Sequence, residues 1–174
     1  MHIHSRYSRA TSEKMNIDEI TRFARIKGLN LVGTGDFTHP KWLEELKEKL
    51  VEIPDTNLYG YAKDPESPVR YMITSEVSTI FTFENEVKKI HHVILTPSLE
   101  TAVQVNERLA RYGNLSADGR PTLDMNAPQL VEEVMEVSKD NVVIPSHAWT
   151  PWFSIFGAFS GFDRVEDCYQ DMTK

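Results

Sequence analysis

The sequence predicts an α/β fold carried by a single domain spanning residues 1–174. Helix-like and strand-like segments alternate along it, the pattern of helices packed on a sheet. Its 174 residues are one domain's worth and long enough to bury a substantial core. A hydrophobic share of 40% and a charged share of 26% match ordinary globular composition.

The elements follow in order. Asn16 caps a helix through about Lys27, with Ile17, Ile20, Phe23 and Ala24 at helical spacing and Gly28 as its stop. Leu29–Val32 reads as a short buried strand running into Gly33-Thr34-Gly35-Asp36. Pro40 opens a second helix with Trp42, Leu43, Leu46 and Leu50 on one stripe, and His39 reads as its cap. Residues 52–68, with Pro54, Gly60, Pro65 and Pro68, read as an irregular connection. Val69–Thr82 and Val87–Thr96 are expected strands joined by a turn at Glu84-Asn85-Glu86. Ser98 caps a helix that ends by Gly113, and Asn126 and Pro128 start another carrying Leu130, Val131 and Val134. Val142–Pro145 is a short strand, residues 148–162 are neither good helix nor good strand, and Asp163 begins a helical segment to the chain's end.

Composition also excludes classes. Eight Gly and nine Pro rule out collagen-like and low-complexity readings. A net charge of −7 rules out a basic coat that grips nucleic acid by bulk attraction, though not a DNA-acting enzyme whose positive charge comes from metal ions. The one cysteine, Cys168, excludes an internal disulfide and a Cys-rich zinc cage, and reads as a small core residue. Met1–Ala10 has no apolar core and no run reaches membrane-spanning length. The expectation is a soluble, cytoplasmic protein with no membrane partner.

The chemistry lies in where histidines and carboxylates fall. His2 and His4 form an H-x-H pair whose two-residue period, on a strand, puts both imidazoles on one face. Glu76 ends the apolar run from Tyr71, Asp36 ends the strand from Leu29, and His147 follows Val142–Pro145. Of His91 and His92, only one can face a given side. Active sites of parallel α/β folds collect at carboxyl ends of strands, and mixed imidazole and carboxylate ligands suit zinc, manganese or iron in a hydrolytic centre. Arg6 and Arg120 lie in loops near the same mouth as phosphate contacts or solvated charges. Trp149, Trp152 and Phe153 offer faces for a displaced base, or a hydrophobic plug for the rim.

The order His2-Ile3-His4-Ser5-Arg6-Tyr7-Ser8, Gly33-Thr34-Gly35-Asp36, Leu115-Ser116-Ala117-Asp118-Gly119-Arg120-Pro121 and Ser146-His147-Ala148-Trp149-Thr150-Pro151-Trp152-Phe153-Ser154 resembles the polymerase-and-histidinol-phosphatase (PHP) family of metal-dependent phosphoesterases, and within it the endonuclease Q branch. The resemblance runs through the whole chain. It implies a distorted (βα)7 barrel and a DNA repair endonuclease that cuts beside deaminated or abasic nucleotides through metal-activated water. It implies two or three divalent ions, zinc first, with manganese, iron or magnesium as alternatives. The implied ligands are His2, His4, Glu76, His92 and His147, with His92 chosen over His91 because it directly precedes Val93-Ile94-Leu95. Asp36 and Arg6 take catalytic roles, and Arg120, Trp149 and Trp152 bind substrate.

The chain departs from the family pattern at several points. Phe37 stands where a second histidine of a Thr-Asp-His motif is expected, Arg9 where many relatives carry an aspartate, and the closing Asp-x-His is absent. These departures imply a partial barrel lacking its C-terminal strands. Its exposed strand edges would invite homo-oligomers. The alternatives are a small-molecule phosphatase of the same family and a truncated, non-catalytic metal-binding remnant.

Overall fold

A computed structural model describes residues 1–173. The element order is α1 (Ile17–Ile26), β1 (Leu31–Gly33), α2 (Pro40–Lys49), β2 (Leu50–Ile53), β3 (Leu58–Tyr61), β4 (Arg70–Phe83), β5 (Glu86–Thr96), α3 (Leu99–Leu109), β6 (Thr122–Leu123), α4 (Ala127–Met135), β7 (Val142–Pro145) and α5 (Val165–Tyr169), closed by a 3₁₀ turn over Gln170–Thr173. Lys174, the end of the expected last helical segment, lies outside the described residues. Among the described residues, no helix is long and apolar enough to cross a membrane.

The molecule is a mixed α/β structure whose hub is β4. Its first residues pair in parallel with β1 and its middle in parallel with β6. β3 pairs antiparallel with it at Tyr71, and β5 runs antiparallel from Ile73 to Phe83. β7 then adds antiparallel to β5, so the longest ladders are antiparallel where βα alternation suggested parallel strands. The β4–β5 hairpin turns on Glu84 and Asn85, both with positive φ, the two-residue geometry that suits the sheet's twist. Asn16, Ser98 and Asn126 accept the first free amides of α1, α3 and α4, as their sequence positions predict.

Three expectations are corrected. Residues 52–68 are not wholly irregular: β2 and β3 form a hairpin there. Pro54 falls in its loop, and Asp55 and Asn57 supply the left-handed residues that close it. His39 occupies the N-cap position of α2 without a side-chain capping bond; its ring stacks on Tyr7 at 4.4 Å instead. The H-x-H segment joins no strand ladder. It is anchored by Ser5, whose amide donates to Asp36 Oδ2 at 2.6 Å, and by the Arg6 amide, which donates to the Met15 carbonyl. Gly35, with φ +65°, lets the Ile3 carbonyl pass where a Cβ would stand.

The main core buries Trp42, Leu46, Tyr71, Ile73, Leu109 and Leu130 among others. A second cluster, Ile90, Ala127, Ile155, Phe162, Cys168 and Tyr169, seats residues 148–162 and α5 on the sheet. That irregular segment is tied by His91 and Lys89 amides donating to the Phe153 and Ser160 carbonyls. Burial pushes the Cys168 thiol up to about 12, in keeping with a core role. On β7, Val142 and Ile144 stay about half exposed.

Asp18 joins α1 to α2 and β3 by accepting from Lys49, Tyr61 and Lys63. The Lys49 and Tyr61 hydrogen bonds hold its carboxyl well below its ordinary 3.8. A depressed folded value gives stability that is present above the unfolded value and is lost as the pH falls through it. Because the carboxylate is partly exposed, Asp18→Asn should cost only about 1 kcal/mol at neutral pH. Urea melts of both proteins from pH 7 to pH 2 should show the gap closing below about pH 4.

Candidate metal centre

Glu76 sits mid-strand in β4, 1% exposed, and not at the carboxyl end expected from sequence. Side chains alternate along a strand, so Glu76 and Ser78 share one face while Val77 and Thr79 take the other. The register sets Ser78 opposite His91 and Val77 opposite His92. His91 therefore faces the Glu76 side, with Nδ1 3.4 Å from Glu76 Oε1. His92 faces away: its Nε2 is 2.9 Å from Thr79 Oγ1 and its Nδ1 2.7 Å from the Tyr169 hydroxyl. The expected ligand His92 is thereby corrected to His91. Adjacency to the apolar run is shared by both faces of the strand, whereas parity against Glu76 in the hairpin separates them.

Two imidazole pairs converge on one carboxylate. His2 Nε2 and His4 Nε2 lie 3.3 and 3.1 Å from Glu76 Oε2. His91 Nδ1 and His147 Nε2 lie 3.4 and 3.3 Å from Oε1, and 3.1 Å from each other. Each group of three offers ligand atoms close enough to share a cation. Glu76 Oε1 is buried and has only the two imidazole nitrogens, at 3.3 and 3.4 Å, beside it, a weakly satisfied carboxylate oxygen that a cation would relieve.

The other ring nitrogens are held in place. His4 Nδ1 is 2.9 Å from Asp36 Oδ1, His2 Nδ1 3.2 Å from Ser146 Oγ, and His147 Nδ1 2.9 Å from Thr150 Oγ1. Metal-ligating histidines show this arrangement, with the second nitrogen fixed by a carboxylate or hydroxyl. The His91 ring stacks on Phe153 at 4.5 Å. Asp36, His147 and Phe153 all have left-handed backbones, strain of order 1–3 kcal/mol each that clusters at this one place.

Burial would raise the Glu76 carboxyl, but hydrogen bonds from His2, His4 and His91 hold it well below the usual carboxylate range. Burial opposes a charge on His4, yet Asp36 and Glu76 outweigh it and lift the ring to about 9. Any metal bound by His4 must displace that proton. Burial lowers His91, against the pull of Glu76, which leaves its lone pair available.

The remaining expected residues divide. Asp36 is fully buried: its Oδ2 accepts from Ser5 N, Ser5 Oγ and Ser8 Oγ at 2.6, 2.7 and 2.9 Å and its Oδ1 faces His4, so it positions that ring and is closed to a substrate. A Cβ on Gly119 would overlap its carboxylate, which ties the Asp118-Gly119-Arg120 turn to the same group. Arg6 turns away and pairs with Glu45, so its expected catalytic role is corrected to a link between the N-terminal segment and α2. Arg120 does reach the centre, with Nη1 3.2 Å from Glu76 Oε2. Trp149 and Trp152, 82% and 55% exposed, stand on the loop after His147, and Trp152 stacks on Phe159 at 4.3 Å. The supporting hydroxyls of Ser5, Ser8, Ser146 and Thr150 went unread in the sequence, although each lies inside a quoted motif.

No family model matches the chain. An uncharacterised protein of Methanocaldococcus jannaschii is 32% identical over 168 residues, 96% of this chain and 18% of that one. The crystal structure of a lesion-specific endonuclease from Pyrococcus furiosus superposes with a TM-score of 0.80 at 32% identity, over 98% of this chain and 38% of that one. A complex of endonuclease Q with a 27-mer duplex bearing an abasic lesion at its active site gives 0.81 at 32% identity, over 98% and 39%. The chain thus spans under a fifth of the curated relative and under two fifths of the endonuclease Q chains.

The register predicts opposite outcomes for neighbouring histidines. His91→Ala should lower metal affinity at least tenfold in calorimetric titration with little change in melting temperature. His92→Ala should keep metal binding and lose about 2–4 kcal/mol of stability, because it orphans Thr79 and Tyr169 in the core. Asp36→Asn should weaken metal affinity about 10–100-fold through the freed His4 ring.

Proposed function

We propose that this chain is a PHP-like, metal-dependent phosphodiesterase unit of the endonuclease Q type, acting on DNA beside deaminated or abasic nucleotides. The observation that carries the reading is one buried carboxylate shared by two imidazole pairs, in a chain that superposes on endonuclease Q over nearly its whole length. His2, His4 and Glu76 Oε2 would hold one divalent cation, and Glu76 Oε1, His91 and His147 a second. Imidazole with carboxylate suits zinc first, and manganese or iron next. Bound ions would supply an acidified water and neutralise charge on the phosphoryl group.

The chain's own residues have distinct tasks. Asp36 holds the His4 ring so that Nε2 faces inward. Ser146 and Thr150 do the same for His2 and His147. Arg120 is placed to take a phosphate oxygen, and its fork suits that geometry. Trp149, and the face of Trp152 turned away from Phe159, would offer stacking surfaces on the His147 loop, which suits a polymer with splayed bases better than a monoester in a closed pocket.

The test is cleavage of labelled duplexes containing uracil, hypoxanthine, an abasic nucleotide or no lesion. Incision should appear beside the lesion, vanish with a chelator and return with zinc or manganese. Glu76→Gln should bind less than a tenth of the metal and lose at least a hundredfold in rate. Turnover of phosphate monoesters with intact DNA would instead favour the small-molecule phosphatase. Metal binding without turnover of either would favour the remnant.

A further inference from the structure

A second cavity adjoins the metal centre, about 410 Å3 in volume and lined by Ser78, His91, Arg9, Asn114, Arg120 and Phe153 among others. Ser78 is two residues beyond Glu76 on the same strand face, about 7 Å further along. It is 2% exposed, and its Oγ is buried without a hydrogen-bond partner. A buried hydroxyl left unpaired costs roughly what a ligand that pairs it would restore.

The carboxylate and amide oxygens of the wall are already engaged. Asp118 accepts from the Arg120 and Arg9 amides and lies 3.6 Å from Arg9 Nε. Asn114 Oδ1 accepts from the Ser116 amide and hydroxyl. What remains to meet a ligand is weighted to donors: the Asn114 amide nitrogen and two guanidinium groups, with the Ser78 and Thr122 hydroxyls able to donate beside them. A nucleobase needs donors and acceptors together, while an oxyanion needs donors alone. The Arg120 guanidinium pairs with Glu76 Oε2, and a cation between His2, His4 and Oε2 would compete with it for the same oxygen.

We propose that the Ser78 cavity is a phosphate subsite, which binds a phosphate group of the substrate other than the one cleaved. This rests on the phosphodiesterase reading above for the identity of the second phosphate. That phosphate comes from an internal diester of a polynucleotide or from a terminal monoester. Both present the same oxygens to the donors.

The experiment compares wild type, Ser78→Ala and Ser78→Thr, all metal-loaded, by calorimetric titration with inorganic phosphate, an unphosphorylated oligonucleotide and deoxyuridine. Ser78→Ala should weaken phosphate about tenfold at unchanged metal content and melting temperature, and Ser78→Thr should restore it. An equal loss for the oligonucleotide assigns the subsite to a diester, and a loss confined to inorganic phosphate assigns it to a terminal monoester. Unchanged phosphate binding overturns the proposal, as does a loss confined to deoxyuridine, which would make the cavity a base pocket. If Ser78→Ala does not fold, Arg9→Gln, which lines the cavity away from the metal centre, must weaken phosphate in its place, and no loss there overturns the proposal. Failure of wild type to cut DNA would sink the endonuclease reading alone, because phosphate binding is read without turnover.

Discussion

The arrangement depends on a carboxylate buried in the middle of the longest strand. Glu76 is almost without solvent, so its charge must be balanced from within the protein. The fold brings cationic or cation-binding groups to it from the N-terminal segment, from β5, from the loop after β7 and from the turn before β6. Those segments are far apart in sequence, and they also meet through the β5–β7 ladder, the Gly119 amide on the Tyr7 carbonyl and Ser146 beside His2. Glu76 is the candidate centre and the one charge on which groups from all of these segments meet.

Behind the ligands lies a layer of hydroxyls and one further carboxylate. Asp36 collects Ser5 and Ser8 and passes their constraint to His4. Gly119 must lack a side chain for Asp36 to sit there, so the turn that delivers Arg120 is built against the group that orients His4. A free aspartate at that position would be an added acid or ligand, whereas this one is fully occupied. Its contribution is to fix a tautomer and an angle, which metal sites use to set affinity.

Much of this was legible in the sequence, and the parts that were not have common causes. Caps at Asn16, Ser98 and Asn126 act through bonds three residues away, so spacing alone identifies them. Glu76, His2, His4 and His147 are grouped in the sequence by residue type and order, while the strand geometry expected for them fails: Glu76 lies mid-strand and the H-x-H segment joins no ladder. His91 and His92 differ only in parity, and parity acquires meaning once the β4–β5 register is set by its two-residue turn. Arg6 could not be placed from its loop position, because its partner Glu45 lies on α2, 39 residues away. The β2–β3 hairpin was hidden by reading Pro54 and Gly60 as breakers, when one falls in the loop and the other lies on β3, facing β2.

The acidic balance constrains how such a centre would meet DNA. A chain of net charge −7 repels a polyanion at long range, so binding energy must come from short-range contacts. The structure concentrates those contacts in one place: paired imidazoles that can hold cations, Arg120 beside them, a donor-lined cavity one step along β4, and exposed tryptophans on the adjoining loop. Stacking on Trp149 or Trp152 is indifferent to charge and favours nucleotides already splayed from the duplex. An undamaged duplex offers the repulsion in full and few splayed bases to offset it. A lesion that unstacks easily offers both a base face and a displaced backbone, so under the proposed endonuclease reading discrimination in favour of damage would follow from general repulsion joined to strong local contact.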